Sequence, residues 1–120
     1  MENDDRRLGA WGEEIAVKYL LGHGYKILDR NWRDGHKELD VVTRLGDLTI
    51  FVEVKLRREL SLGGEIGALR HDQIKTLRQA ILSYSFKHRI DLEKTRLDLL
   101  IVSPDKNKKT ANIKRFSGLY

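Results

Sequence analysis

Four polar residues recur at short spacing on the most apolar stretch of this 120-residue chain: Glu38 and Asp40, then Glu53 and Lys55. The first pair leads into Val41-Val42-Thr43 and the second sits in Ile50-Phe51-Val52-Glu53-Val54-Lys55. Both runs are rich in β-branched residues, which suit a pleated surface. Leu45-Gly46-Asp47 lies between them, and Gly-Asp is a hairpin turn signal. A two-residue turn there pairs Leu45 with Leu48, sets Asp40 opposite Glu53, and sets Glu38 opposite Lys55. Alternation then places all four on one face, leaving Leu39, Val41, Val52 and Val54 on the other as core. Opposed like charges destabilise a strand pair, and burial beside Val42 and Phe51 adds a desolvation penalty on ionised carboxylates. There are two remedies: one carboxyl keeps its proton, or a cation sits between the two. Carboxylate oxygens suit magnesium, which uses few protein ligands and keeps several waters. Such a metal with a neighbouring lysine ammonium is a centre for phosphodiester hydrolysis. The plainer alternative is a surface hairpin with a cross-strand Glu–Lys pair.

The elements that must position this hairpin are legible in the flanking sequence. Residues 1–7 read as a flexible, charged N-terminal arm, and residues 8–120 as a single domain. Leu8, Trp11, Ile15 and Tyr19, with Ala16 and Leu20, recur at helical steps until Gly22 and Gly24 stop them. Tyr25–Asn31 is predicted as a first strand. Leu60–Gly67 is glycine-rich and without period, and reads as a mobile flap. Helical spacing returns at Ile74, Leu77, Ile81 and Tyr84, over residues 70–88. Leu97–Val102 reads as a buried strand that Pro104 ends, with a short last strand over Ala111–Phe116. The expected fold class is α/β, a mixed sheet flanked by helices in the order α-β-β-β-α-β-β.

Composition narrows the chemistry further. With no cysteine, the chain has no disulfide, thiolate metal site or Cys nucleophile. The polar start Met1-Glu2-Asn3-Asp4-Asp5 does not resemble a signal peptide, and no apolar run reaches membrane-spanning length, so a cytoplasmic protein without a membrane partner is expected. The formal charge is +5 and unevenly spread. Residues 70–89 hold five basic residues against one acidic, and residues 104–120 repeat that balance. Segregated basic charge on a small domain points to a polyanionic partner, most often nucleic acid. The four histidines (His23, His36, His71 and His88) share no helical spacing that would suit zinc.

Several stretches together resemble the YraN family: Gly9-Ala10-Trp11-Gly12-Glu13-Glu14, Gly24-Tyr25 through Asn31-Trp32-Arg33, Gly35 through Asp40, Phe51 through Arg57, and Arg96-Leu97-Asp98. That largely uncharacterised family is similar to archaeal Holliday junction resolvases, with a restriction-endonuclease-like PD-(D/E)XK fold. The resemblance implies a metal-dependent nuclease centre using magnesium, or manganese in its place. By resemblance, Asp40 and Glu53 are metal ligands, Glu13 is a helix carboxylate of the centre, and Lys55 is the catalytic lysine. Where family members often carry a lysine early in the second helix, this chain has Gln73, which can hydrogen-bond phosphate or water but adds no charge.

The expected function is therefore a magnesium-dependent endonuclease or structure-selective DNA-processing enzyme. Its expected partner is DNA, branched DNA included, and the junction-cleaving relatives suggest a homodimer. Arg30, Arg57, Gln73, Lys75 and Arg78 are candidates for holding the substrate. Glu38 is a candidate partner of Lys55, and Trp32 reads as partly buried core more readily than as a base-stacking surface. The alternative is a non-catalytic nucleic-acid-binding module derived from a nuclease fold. A domain binding an acidic protein is a third, weaker reading.

Overall fold

In the computed structural model, the strands and helices follow the expected order, α-β-β-β-α-β-β. They are α1 (Glu2–Gly22), β1 (Lys26–Asp34), β2 (Lys37–Leu45), β3 (Leu48–Leu56), α2 (His71–Lys87), β4 (Thr95–Asp105) and β5 (Thr110–Phe116), with a 3-10 turn at Leu92–Lys94 before β4. The structure describes residues 2–57, 71–105, 107 and 110–119, the side chains of 2–8 and 71 excepted. The expected glycine-rich flap lies outside these residues.

The five strands form one mixed sheet in sequence order. β1, β2 and β3 pair antiparallel, β3 pairs parallel with β4, and β5 pairs antiparallel with β4. A parallel neighbour requires a crossover, and α2 lies within it. Alternate residues of β4 face opposite helices. Leu97, Leu99 and Ile101 pack with Leu77, Ile81 and Tyr84 of α2, whereas Leu100 and Val102 pack with Ala16, Val17 and Leu20 of α1. The sheet therefore buries both faces, which explains why β4 reads as a continuous apolar run rather than an alternating one. This architecture agrees with a restriction-endonuclease-like fold.

Three boundaries differ from the sequence reading. Helix α1 begins at Glu2 rather than Leu8. Apolar spacing reports only turns that carry apolar residues, and residues 2–7 carry none. Strand β1 starts at Lys26, one residue late, and runs on through Asp34. Pro104 does not end β4 but pairs with Ala111 of β5. The β3 ladder stops at Leu56↔Val102, so among the described residues Pro104 has a partner strand on one side only, where a missing N–H is tolerated.

Candidate active site where two strands part

The β2–β3 hairpin has the expected register from Leu45↔Leu48 to Val41↔Val52, and there it stops. Beyond that point β2 stays with β1 through Asp34↔Lys37, while β3 stays with β4 through Leu56↔Val102. Asp40 sits where the two part. Its Oδ2 accepts the Val54 N–H at 2.9 Å, so a side chain replaces the lost ladder bond.

The same position corrects the predicted faces. Leu39 packs in the α2-side cluster, whereas Val41 and Val52, and the partly buried Val54, belong to the α1 side. On a regular strand Leu39 and Val41 would share a face. β1 makes the matching change. Arg30 meets carboxylates of α1, and Trp32, two residues on, packs in the α2-side cluster. Asp40 and Asn31 occupy the intervening, mutually facing positions between the pairs Arg30↔Val41 and Trp32↔Leu39. Asn31 has φ 52°, a left-handed conformation that asparagine tolerates better than most residues. One residue in that conformation turns the strand over.

Around this gap stand the residues singled out by sequence. Glu53 is half-buried and lines a cavity of about 260 Å³ together with His36, Glu38, Asp72, Gln73, Thr76 and Leu77. Burial pushes the Glu53 carboxyl up to about 9, with a hydrogen bond and charge from Asp40 acting in the same direction and the Lys55 charge opposing them. The two carboxyls thus touch, and the site keeps a proton on one of them. Lys55, also half-buried, lies two residues along β3 from Glu53.

Glu13 reaches the gap from the α1 side. Its Oε1 accepts the Asn31 side-chain amide at 2.9 Å, and Arg30 lies 3.5 Å away. The neighbouring Gly12 packs so closely on Leu56 that a Cβ there would stand 2.9 Å from Leu56 Cδ1. Helix α1 therefore passes directly over the end of β3 that carries Lys55. Among the described residues, no group of three or more His, Cys, Asp or Glu stands close enough to hold a metal ion. Asp40 and Glu53 form a pair, with Glu13 held separately by β1.

The remaining candidates divide. Arg30 bridges Glu14 at 2.6 Å and Glu13, so its guanidinium is engaged by carboxylates rather than presented alone. Glu38 pairs with Arg33 at 3.4 Å, not with Lys55, because the ladder that would oppose them has ended. Arg57 is exposed just past β3 and donates to the Leu56 carbonyl. Gln73 is in the cavity wall, and Lys75 and Arg78 are exposed further along α2. Trp32 is core, edge-on to Tyr84 at 5.3 Å between ring centroids. Asn31 was missed, although an asparagine inside a predicted strand, a residue type depleted in strands and tolerant of left-handed backbone, was the available signal. Asn31→Gly keeps the left-handed backbone and loses one hydrogen bond, so it is expected to destabilise by about 1 kcal/mol. Asn31→Ala adds backbone strain of about 1 kcal/mol or more. Urea titration finding Ala no worse than Gly would refute a strained turn here.

The donor set suits a hard divalent cation. Two carboxylates in contact, one of them protonated at neutral pH when no cation is present, match magnesium, which takes one or two protein carboxylates and keeps its remaining waters.

Comparison with known proteins gives a consistent result. Residues 12–102 match the model of "Uncharacterised protein family UPF0102". A UPF0102 protein of Syntrophotalea carbinolica is 40% identical over 116 residues, covering 94% of this chain and 90% of that protein. One from Syntrophomonas wolfei is 44% identical over 80 residues, covering 67% and 70%. A third, from Chlorobium phaeobacteroides, is 34% identical over 102 residues, covering 85% and 80%.

Proposed function

The chain belongs to the uncharacterised family UPF0102, the YraN family, and from that premise and the carboxylate pair we propose a divalent-metal-dependent endonuclease that hydrolyses phosphodiester bonds in DNA. The observation that supports it most is the contact of Asp40 with Glu53 at parted strands, with Lys55 next to Glu53. Two carboxyls placed so that one must stay protonated are a liability in a purely structural hairpin. A cation between them removes that liability.

Asp40 and Glu53 hold the metal, magnesium or manganese in its place, which when bound supplies Lewis acidity toward water and phosphate. The Val54 N–H fixes the Asp40 carboxylate in position. Lys55 orients the attacking water and offsets charge on the phosphate oxygens. Glu13, clamped by Asn31, accepts hydrogen bonds from water at the α1 side of the gap. Gln73 reaches phosphate from the cavity wall, while Lys75, Arg78 and Arg57 hold the backbone. The enzyme is read as cytoplasmic, with branched DNA within its substrate range. No helix among the described residues is long and apolar enough to cross a membrane.

The test is a cleavage panel of single strands, duplexes, flaps and four-way junctions with magnesium or manganese. Cleavage by the wild type, reduced at least ~100-fold in Asp40→Asn and in Lys55→Ala, is expected from loss of charge stabilisation. No cleavage of any substrate with either metal overturns the enzyme reading. Gln73, uncharged where relatives often have lysine, favours a second reading: a module that holds nucleic acid without cutting it. That reading predicts salt-sensitive DNA retention unaffected by metal.

A further inference from the structure

Arg30 of β1 meets two consecutive carboxylates of α1. Its Nη2 donates to Glu14 Oε1 at 2.6 Å and stands 3.5 Å from Glu13 Oε1. The two acids are placed differently. The Glu13 side chain is 20% exposed and also accepts the Asn31 amide at 2.9 Å. The Glu14 side chain is 56% exposed, and its bond to Arg30 lies on the outside. β1 is fastened to α1 without that bond, through the Asn31–Glu13 contact and through Ile27, which packs in the α1-side cluster. Glu14 thus holds a guanidinium that the fold does not need it to hold. That guanidinium belongs to the residue paired with Val41, next in sequence to Asp40.

An exposed ion pair contributes little net stability, because water and salt screen it. Exchanging one anion for another on Arg30 is therefore cheap. The planar guanidinium fork fits carboxylate and phosphate oxygens alike, so Glu14 takes the donor that a phosphate would take. Lys18, exposed and four residues further along α1, offers Glu14 a second cation at a favourable helical spacing. We propose that Arg30 is a subsite for a backbone phosphate of nucleic acid, and that Glu14 is its built-in competitor, displaced when the phosphate arrives. A free phosphate would face two carboxylates with one guanidinium to hold it. A strand already held by the basic groups of α2 presents its phosphate to Arg30 at high effective concentration, which selects the polymer. The inference rests on the nucleic-acid reading above, and it holds whether or not the strand is cut.

Fluorescence anisotropy with a fluorescein-labelled DNA flap, at low salt and in EDTA to prevent metal-dependent cleavage, tests the exchange as a double-mutant cycle. Glu14→Gln keeps the side-chain shape and removes the competing charge. It is expected to lower Kd about threefold to fivefold, the scale of one exposed ion pair. Arg30→Gln should raise Kd by about the same factor. In the Arg30→Gln background, Glu14→Gln should change Kd by less than ~2-fold, because no guanidinium is left to release. A plain charge effect would instead tighten binding equally in both backgrounds. Unchanged affinity in Glu14→Gln, or equal tightening with and without Arg30, overturns the exchange and leaves the nucleic-acid reading standing. Failure of both wild type and Glu14→Gln to retain the flap overturns the two together. Glu14 and Arg30 are exposed and the Asn31–Glu13 bond remains, so the variants should melt with the wild type.

Discussion

Glu53→Gln is expected to make the metal-free protein more stable at pH 8 by several kcal/mol and to flatten its stability profile between about pH 4.5 and 9. The sign follows from the proton count. The Glu53 carboxyl is pushed up to about 9 in the fold, first by burial and then by Asp40, from an ordinary value of 4.5. Below 4.5 both folded and unfolded chains carry the proton, and the group contributes no slope. Between 4.5 and 9 the folded state keeps a proton that the unfolded chain has lost, so stability falls as pH rises, by up to about 1.4 kcal/mol per pH unit. Glutamine is neutral throughout, nearly isosteric, and still able to donate to Asp40. Urea midpoints at pH 5, 7 and 9 check this, and parallel profiles for wild type and variant would refute it. Magnesium acts oppositely on the wild type. A cation that binds only the folded, ionised pair adds RT ln(1 + [Mg]/Kd), an increment that should grow with pH and vanish in Glu53→Gln.

That expectation was half visible in the sequence. The hairpin turn, the pairing from Leu45↔Leu48 to Val41↔Val52, and the contact of Asp40 with Glu53 all follow from Gly46-Asp47 and the β-branched runs. What failed was extending the ladder past Val41. Alternation assumes one regular strand, and nothing in an apolar pattern reveals that Asn31 adopts φ 52° or that β1 and β2 change face together. Leu39 was therefore assigned to the wrong side, and Glu38 to the wrong partner. Pro104 was misread for a related reason. Its tolerance depends on whether a strand lies on both sides at that height, which is tertiary information.

The strand separation also gives the site its layout. Two strands that stay paired present one face or the other to a ligand, but parted strands expose side chains from both. Glu53 arrives from the α2 side and Glu13 from the α1 side, with Asp40 between them bonded to the β3 backbone. A sequence shows which residues can ionise. Only the divergence of β2 from β3 lets the Asp40 side chain bond the β3 backbone while its carboxyl meets Glu53.

Asp98→Ala is expected to cost about 3 kcal/mol or more, a large share of the 5–15 kcal/mol that holds a domain of this size. Asp98 is fully buried beside Leu97 and Leu99 in β4, and every bond it makes is structural. Arg96 grips it through two nitrogens at 2.8 and 2.9 Å, Ser117 Oγ donates at 3.3 Å, and the Gly118 N–H at 3.1 Å. Removing the carboxylate leaves a guanidinium without its counter-charge, and that imbalance, more than the lost bonds, sets the cost. Arg96 is about one-quarter exposed, so partial hydration keeps the loss toward the lower end of the 3–5 kcal/mol typical of broken buried pairs. The chain end should loosen first, because Gly118 and the Leu119 N–H bonded to Leu97 depend on the same anchor. Hydrogen exchange at Gly118 and Leu119 should therefore accelerate beyond the global change in stability. A loss below 1 kcal/mol, or uniform exchange, would mean that Asp98 does not anchor the C-terminal segment. Because Asp98 faces the α1-side core rather than the gap at Asp40, its neutral variants should retain metal binding in proportion to the fraction folded. A loss confined to stability would separate this carboxylate from the pair at the parted strands, although Asp98 and Glu53 lie on neighbouring strands of one sheet.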